Sequence, residues 1–122
     1  MSIGLQVFIV ITAILHCLFF KLESIDFMKD KTLKRFRLSS SEGRVVKIWA
    51  FNQGFYNLFL AFGLFYALYL GDVQGVFLAR YIFIFIVGAS FVLFASSPKK
   101  YIPAIIQGLP PLLGLVISCL KS

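Results

Sequence analysis

Residues 48–70 read IWAFNQGFYNLFLAFGLFYALYL, a run of 23 residues without a charge. A bilayer core of about 30 Å is crossed by roughly 20 predominantly apolar residues in a helix, so this stretch predicts a membrane span. Advancing about 100° per residue puts Phe51, Phe55, Phe59, Phe62, Phe65, Tyr66 and Tyr69 on one side. Asn52, Gln53, Tyr56 and Asn57 take the other, and Gly63 and Ala67 extend their face. An amide facing lipid without a partner costs several kcal/mol, so the pattern predicts that the polar fan faces protein and the aromatic stripe faces lipid. Ala50, Gly54 and Ala61 form a row of small residues beside the fan, which would admit a close neighbouring helix.

Working outward, three more segments have the same character: 3–20, 76–95 and 102–120. Of the 122 residues 60% are apolar, 17% aromatic and only 14% charged, and the mean hydropathy is +0.92. Soluble domains are roughly 45–50% apolar, and disordered chains are poorer still, so both classes are excluded. The whole chain, 1–122, then reads as one all-α membrane domain, a four-helix transmembrane bundle of antiparallel hairpins. No length remains for a soluble catalytic or nucleotide-binding domain.

Net charge is +7, from 12 Lys and Arg against 5 Asp and Glu. In a soluble protein this would suggest nucleic acid, a partner not expected here. Eight of the basic residues (Lys21, Lys29, Lys31, Lys34, Arg35, Arg37, Arg44 and Lys47) crowd the connection 21–47. With Lys99 and Lys100, one side of the membrane holds ten; the other holds Arg80 and Lys121. The positive-inside rule makes the long connection cytoplasmic and puts both termini outside, in a bacterial inner or plasma membrane. The start lacks the basic residues and small-residue cleavage site of a leader, so the first span reads as retained. Cys17 and Cys119 fall near opposite faces and are expected to stay unpaired. Within 27–38 five basic residues alternate with Phe and Leu, a segment able to lie on anionic headgroups, although a topology signal is the favoured reading. Ser39 and Glu42 have the spacing of a capping box, which predicts that the second helix begins before the bilayer.

The remaining polar residues set the expected site. Thr12, His16 and Glu23 share a face of the first span; Gln107, Pro111, Gly114 and Ser118 form a stripe on the fourth, where Pro103 and Pro110 are expected to loosen the helix; the third offers Ser90. Counted at about 1.5 Å per residue from the nearest interfacial residues, His16, Gln53, Ser90 and Gln107 lie about 8–12 Å from the cytoplasmic face. The expectation is a ligand-binding pocket in the inner half of the bundle, lined by His16, Asn52, Gln53, Tyr56, Asn57, Ser90 and Gln107, with Glu23 at its mouth. Interhelical hydrogen-bond glue is the competing role for each amide. His16 and Glu23 are the one pair suited to acid and base roles. No metal site and no cofactor are expected, because no second His or thiolate stands at ligand spacing.

Three elements, Asn52-Gln-Gly-Phe-Tyr-Asn-Leu-Phe-Leu-Ala-Phe-Gly-Leu64, Gln107-Gly-Leu-Pro110 and the His16 to Glu23 pair, resemble the family of small four-span bacterial membrane proteins called domain of unknown function 1304. The resemblance implies a four-helix membrane architecture and makes His16, Glu23, Asn52, Gln53, Tyr56, Asn57 and Gln107 signature positions; it implies no activity. The chain departs from that pattern at Cys17, Lys21 and Pro111.

Four functions fit these residues. The first is binding or moving a small lipophilic or amphipathic molecule in the polar pocket. The second is an enzyme working on a lipid-like substrate through His16 and Glu23, against which stands their placement on one helix. A small multidrug exporter ranks lower, since such proteins insert in both orientations and ten against two basic residues predicts one. The fourth is an accessory subunit docking a membrane protein partner. Membrane lipids, and a homo-oligomer or a second membrane protein, are the partners these readings allow.

Overall fold

The structure, a computed structural model, describes residues 1–120, so Lys121 of the charge comparison lies outside the described residues. All regular structure among them is helical. Helix α1 is Ile3–Phe20, continued by a π-helical turn at Lys21–Ile25; α2 is Asp30–Arg35, α3 Ser40–Leu70, α4 Asp72–Ser96 and α5 Tyr101–Leu120, preceded by a 3-10 turn at Pro98–Lys100. Four stretches, Ile3–Ile25, Ser40–Leu70, Asp72–Ser96 and Pro98–Leu120, are long and apolar enough to cross a membrane. The chain is an all-α membrane protein with the four expected spans.

Two compact units make up the chain: Met1–Leu15 with Phe62–Ser122, and His16–Ala61. In the first unit α3 passes to α4 through the single residue Gly71, whose φ of +77° is open to glycine and costly for other residues. Helix α4 therefore starts at Asp72, four residues before the apolar run at 76. Gly75 lies against the carbonyl of Ala67, so a Cβ there would collide with backbone and the two helices pack tightly from the turn onward. Helices α4 and α5 run antiparallel. Ser90 Oγ donates to the Ala104 carbonyl and sits over Gly108, the Phe83 ring sits over Gly114, and Arg80 bonds Ser118. The buried stripe of α5 is Ala104, Gly108, Pro111, Gly114 and Ser118, and Gly114 receives the bulk of Phe83 from α4. This close fit without a hydrophobic drive is how helices associate in lipid. Pro103 falls in the first turn of α5, where its missing N–H costs little.

The second unit contains the basic connection. Ser39 Oγ accepts from the Glu42 N–H and Glu42 Oε1 from the Ser39 N–H, both at 3.1 Å, so the predicted capping box starts α3 eight residues before the apolar run at 48. Short helix α2 buries Thr32 and Leu33, and the Leu33 side chain packs on Gly43. It ends with Arg37 at φ +57°; the Leu38 N–H bonds the Leu33 carbonyl at 2.9 Å and the Arg37 N–H that of Lys34 at 3.1 Å. That is the Schellman pattern, with arginine at the position where glycine is unstrained. Cys17 and Cys119 are free thiols.

One orientation differs from the sequence reading. The buried positions of α3 from 54 onward are Gly54, Asn57, Ala61, Leu64 and Ala67, whereas Asn52, Gln53 and Tyr56 are exposed. The polar residues span an arc of about 140° at 100° per residue, wider than one helix contact. Burial follows the small-residue row, because glycine and alanine let backbones approach, and Asn57 is the fan member nearest that row. Of the predicted aromatic stripe, Phe51, Phe59, Phe62, Phe65, Tyr66 and Tyr69 are exposed, whereas Phe55 is half-buried, its ring packed on Phe20.

Candidate functional site

Glu23 is the only acidic residue of the first apolar span up to Ile25. Its position comes from the π-helical turn, in which the Asp26 N–H bonds the Lys21 carbonyl five residues back at 2.8 Å. Such wide turns widen the helix locally and are frequent at functional sites. Here the turn is seated on α3: Ser24 Oγ donates to the Phe51 carbonyl at 2.7 Å, and Ser24 occupies the space a Cβ on Gly54 would need. Gly54 is thus required by close approach. One residue earlier on the turn, Glu23 Oε1 accepts from Asn57 Nδ2 at 3.1 Å. Asn57 is 7% exposed and Glu23 half-buried, so the pair forms in a largely water-excluded place.

The nearby positive charge is directed elsewhere. Lys21 Nζ and Lys29 Nζ reach the two carboxylate oxygens of Asp26 at 2.7 and 3.0 Å. Donation from Lys21, then from Lys29, holds the Asp26 carboxyl below its ordinary range. This clamp ties the start of the basic connection to the end of the first span. It gives Lys21, the residue that would have made Glu23 an ordinary interfacial carboxylate, a different acid to pair with.

His16 is 1% exposed and meets the Phe19 ring edge-on at a centroid distance of 5.2 Å. It stands seven residues before Glu23 on the continuous helical path, about 10 Å along the axis. Phe20 packs edge-on against Phe55 at 5.1 Å. An amide donor beside a carboxylate can hold a polar head group, or accept and release a proton, and His16 is a second ionisable group on the same helical path.

Of the eight predicted site residues, the structure joins Glu23 and Asn57 directly and places His16 in the same unit. Asn52, Gln53 and Tyr56 belong to that unit but are exposed. Ser90 and Gln107 belong to the first unit, where Ser90 is spent on the Ala104 carbonyl and Gln107 is half-buried. Sequence reasoning missed Ser24 with Gly54 and the Asp26 clamp. A polar residue beside Glu23 and a glycine in the small row were the available signals. It also counted Arg80 only toward topology, although an arginine eight residues into a span is itself a signal.

The profile of a family described as "Protein of unknown function (DUF1304)" matches residues 10–119. No curated protein and no solved structure matches.

Proposed function

The chain belongs to the DUF1304 family of proteins of unknown function, and from that starting point we propose that it binds or moves a small lipophilic or amphipathic molecule at the Glu23–Asn57 pair. The observation that carries this reading is the 3.1 Å hydrogen bond from Asn57 Nδ2 to Glu23 Oε1, between two residues of apolar, span-length helices. A carboxylate is an expensive way to join helices in lipid, where ionisable groups characteristically mark ligand or proton paths. Glue needs only neutral amides and hydroxyls, and Ser24 already supplies such a bond to α3. His16 adds a second ionisable group on the same helix, and the exposed Asn52, Gln53 and Tyr56 extend the polar region at the surface of α3. In this reading the connection 21–47 is cytoplasmic, the termini are outside, and the site opens toward the inner leaflet of a bacterial plasma membrane.

Thermal stability of detergent-purified protein across a lipid and metabolite library tests the proposal. A ligand at about 100 times its Kd should stabilise by roughly 2.7 kcal/mol. A hit shared by wild type and lost in folded Asn57→Ala and Glu23→Gln supports it; no hit, together with strong destabilisation by Asn57→Ala, assigns the pair to structure.

One observation favours a second reading. Asn52, Gln53 and Tyr56 are exposed polar residues on an apolar helix. A second copy or another membrane protein covering that face would satisfy them, as an accessory subunit requires. Loss of a co-purifying chain in Asn52→Leu/Gln53→Leu would bring this reading forward. Turnover of a lipid-like substrate abolished by His16→Ala and Glu23→Gln would instead favour the enzyme.

A further inference from the structure

The basic connection is folded against α3 in a way that a topology signal does not require. Phe27 and Leu33 are buried, Phe27 against the Phe36 ring at a centroid distance of 5.8 Å and Leu33 against Gly43. These apolar side chains hold α2 in place and are not available to insert into lipid. Thr32 and Leu33 form the inward face of α2, and at about 100° per residue Lys31, Lys34 and Arg35 share the opposite one. All three are exposed, as is Arg37. Among the described residues no acid pairs with any of these four cations, whereas Lys21 and Lys29 are taken by Asp26. Arg37 is also strained. Its φ of +57° is a conformation that glycine adopts freely and arginine does not. Backbone strain of this kind clusters at functional sites, and what glycine would remove here is a cation.

The level of this basic face follows from α3. Helix α2 meets α3 at Gly43, five residues before the uncharged run opens at Ile48, which is at most about 7.5 Å along the membrane normal. Head groups occupy about 5–7.5 Å on each side of the hydrocarbon core. Helix α2 therefore sits in the headgroup layer, and Trp49, 72% exposed, marks the interface just below it. Because the inward face of α2 rests on the side of α3, its basic face looks away from α3 into that layer. A cleft of about 360 Å3 between α2 and the start of α3 is lined by Lys31, Lys34, Ser39 and Ser40, a volume within the range of small-ligand sites. Asp30 is the one acid lining it among the described residues, against two lysines. We propose that α2 and Arg37 bind the phosphate groups of anionic phospholipids in the surrounding headgroup layer. The Glu23–Asn57 pair takes no part, so the two proposals stand or fall separately.

The test uses the full chain in dodecyl maltoside, with dioleoyl phosphatidylglycerol, dioleoyl phosphatidylcholine and glycerol 3-phosphate as probes and the rise in Tm as readout. Phosphatidylglycerol should give a saturable rise in wild type, larger than that from phosphatidylcholine. Arg37→Gly should raise the Tm of the lipid-free protein, because it relieves the backbone, yet need about fivefold more phosphatidylglycerol for the same response. A variant that gains stability while losing lipid has not lost it by misfolding. Lys31→Gln/Lys34→Gln/Arg35→Gln changes only exposed side chains and should weaken the response at least tenfold. Lys99→Gln/Lys100→Gln, which removes two exposed cations of another connection, should respond as wild type does, and so should Glu23→Gln. Equal responses to the two lipids, or a wild-type response in either Arg37→Gly or the triple variant, would overturn the proposal. So would an equal loss in Lys99→Gln/Lys100→Gln, which assigns the effect to bulk charge, or in Glu23→Gln, which moves the lipid to the other site. Glycerol 3-phosphate matching phosphatidylglycerol would overturn it as well, by making the ligand a soluble phosphate.

Discussion

Removing Asn57 and Glu23 singly and together measures whether their contact exists in the membrane protein and how strongly it couples α1 to α3. A hydrogen bond to a charged group contributes about 1.5–3 kcal/mol in soluble proteins. Double-mutant cycles inside a membrane protein average about 0.6 kcal/mol and reach about 1.7. The donor here is 7% exposed and the 3.1 Å length is ordinary, while the half-buried carboxylate retains some access to solvent. These features place the coupling in the upper part of the membrane range, at about 1–1.5 kcal/mol. Asn57→Ala should cost about 2 kcal/mol, because it also leaves a void and strands the carboxylate without its amide. Glu23→Ala should cost less, since a neutral amide left behind is cheaper than a stranded charge. The assay is equilibrium unfolding in mixed micelles of sodium dodecyl sulfate, followed by helix content for wild type, both single variants and the double variant. A coupling below about 0.3 kcal/mol, the scatter of independent sites, would refute the contact.

Three other substitutions probe the surrounding structure. Gly114→Ala would put a methyl 2.9 Å from Cζ of the fully buried Phe83 and closer still to Cε2, so it should lower stability by about 1–3 kcal/mol, whereas Gly88→Ala, in open space, should raise it by up to about 1 kcal/mol; shifts of the same sign in thermal denaturation would contradict the α4–α5 packing. Arg37→Gly should stabilise α2 by about 1 kcal/mol by relieving a positive φ, read as slower limited proteolysis of the connection 26–39. Asp26 has a folded pKa below its unfolded value, so its contribution is complete above about pH 3.9 and fades as pH falls through the lower folded value. Asp26→Asn should flatten that part of the acid-stability profile, and an unchanged profile would remove the clamp from the account.

How much of this was legible in the sequence depended on the kind of signal. Span number and type followed from run length, since only a continuous apolar helix satisfies its backbone in lipid. The Ser39 and Glu42 cap was readable because its chemistry is local. The Glu23 to Asn57 pairing was half readable: both were chosen as polar residues with inward faces, but the helical wheel carried no information on the π-helical turn that delivers Glu23 to α3. The wheel also treated Asn52, Gln53 and Tyr56 as equivalent to Asn57. Helix approach discriminates among them, because contact forms where Gly54 and Ala61 remove side-chain bulk, and an arc of polar residues wider than that contact must leave some outside. Arg80 was counted only toward topology, and its contact with Ser118, 38 residues away, required the antiparallel register of α4 and α5.

The central claim is that the Glu23–Asn57 pair holds a small molecule, and the most direct test is to extract what the protein carries from its native membrane. Mass spectrometry of purified wild type, Glu23→Gln/Asn57→Ala and Arg37→Gly, quantified per mole of folded protein, separates the two proposed sites. The account predicts a small amphipathic molecule close to one per chain in wild type and in Arg37→Gly, and its loss in the double variant. Equal amounts in all three folded proteins, or none in wild type, would contradict it.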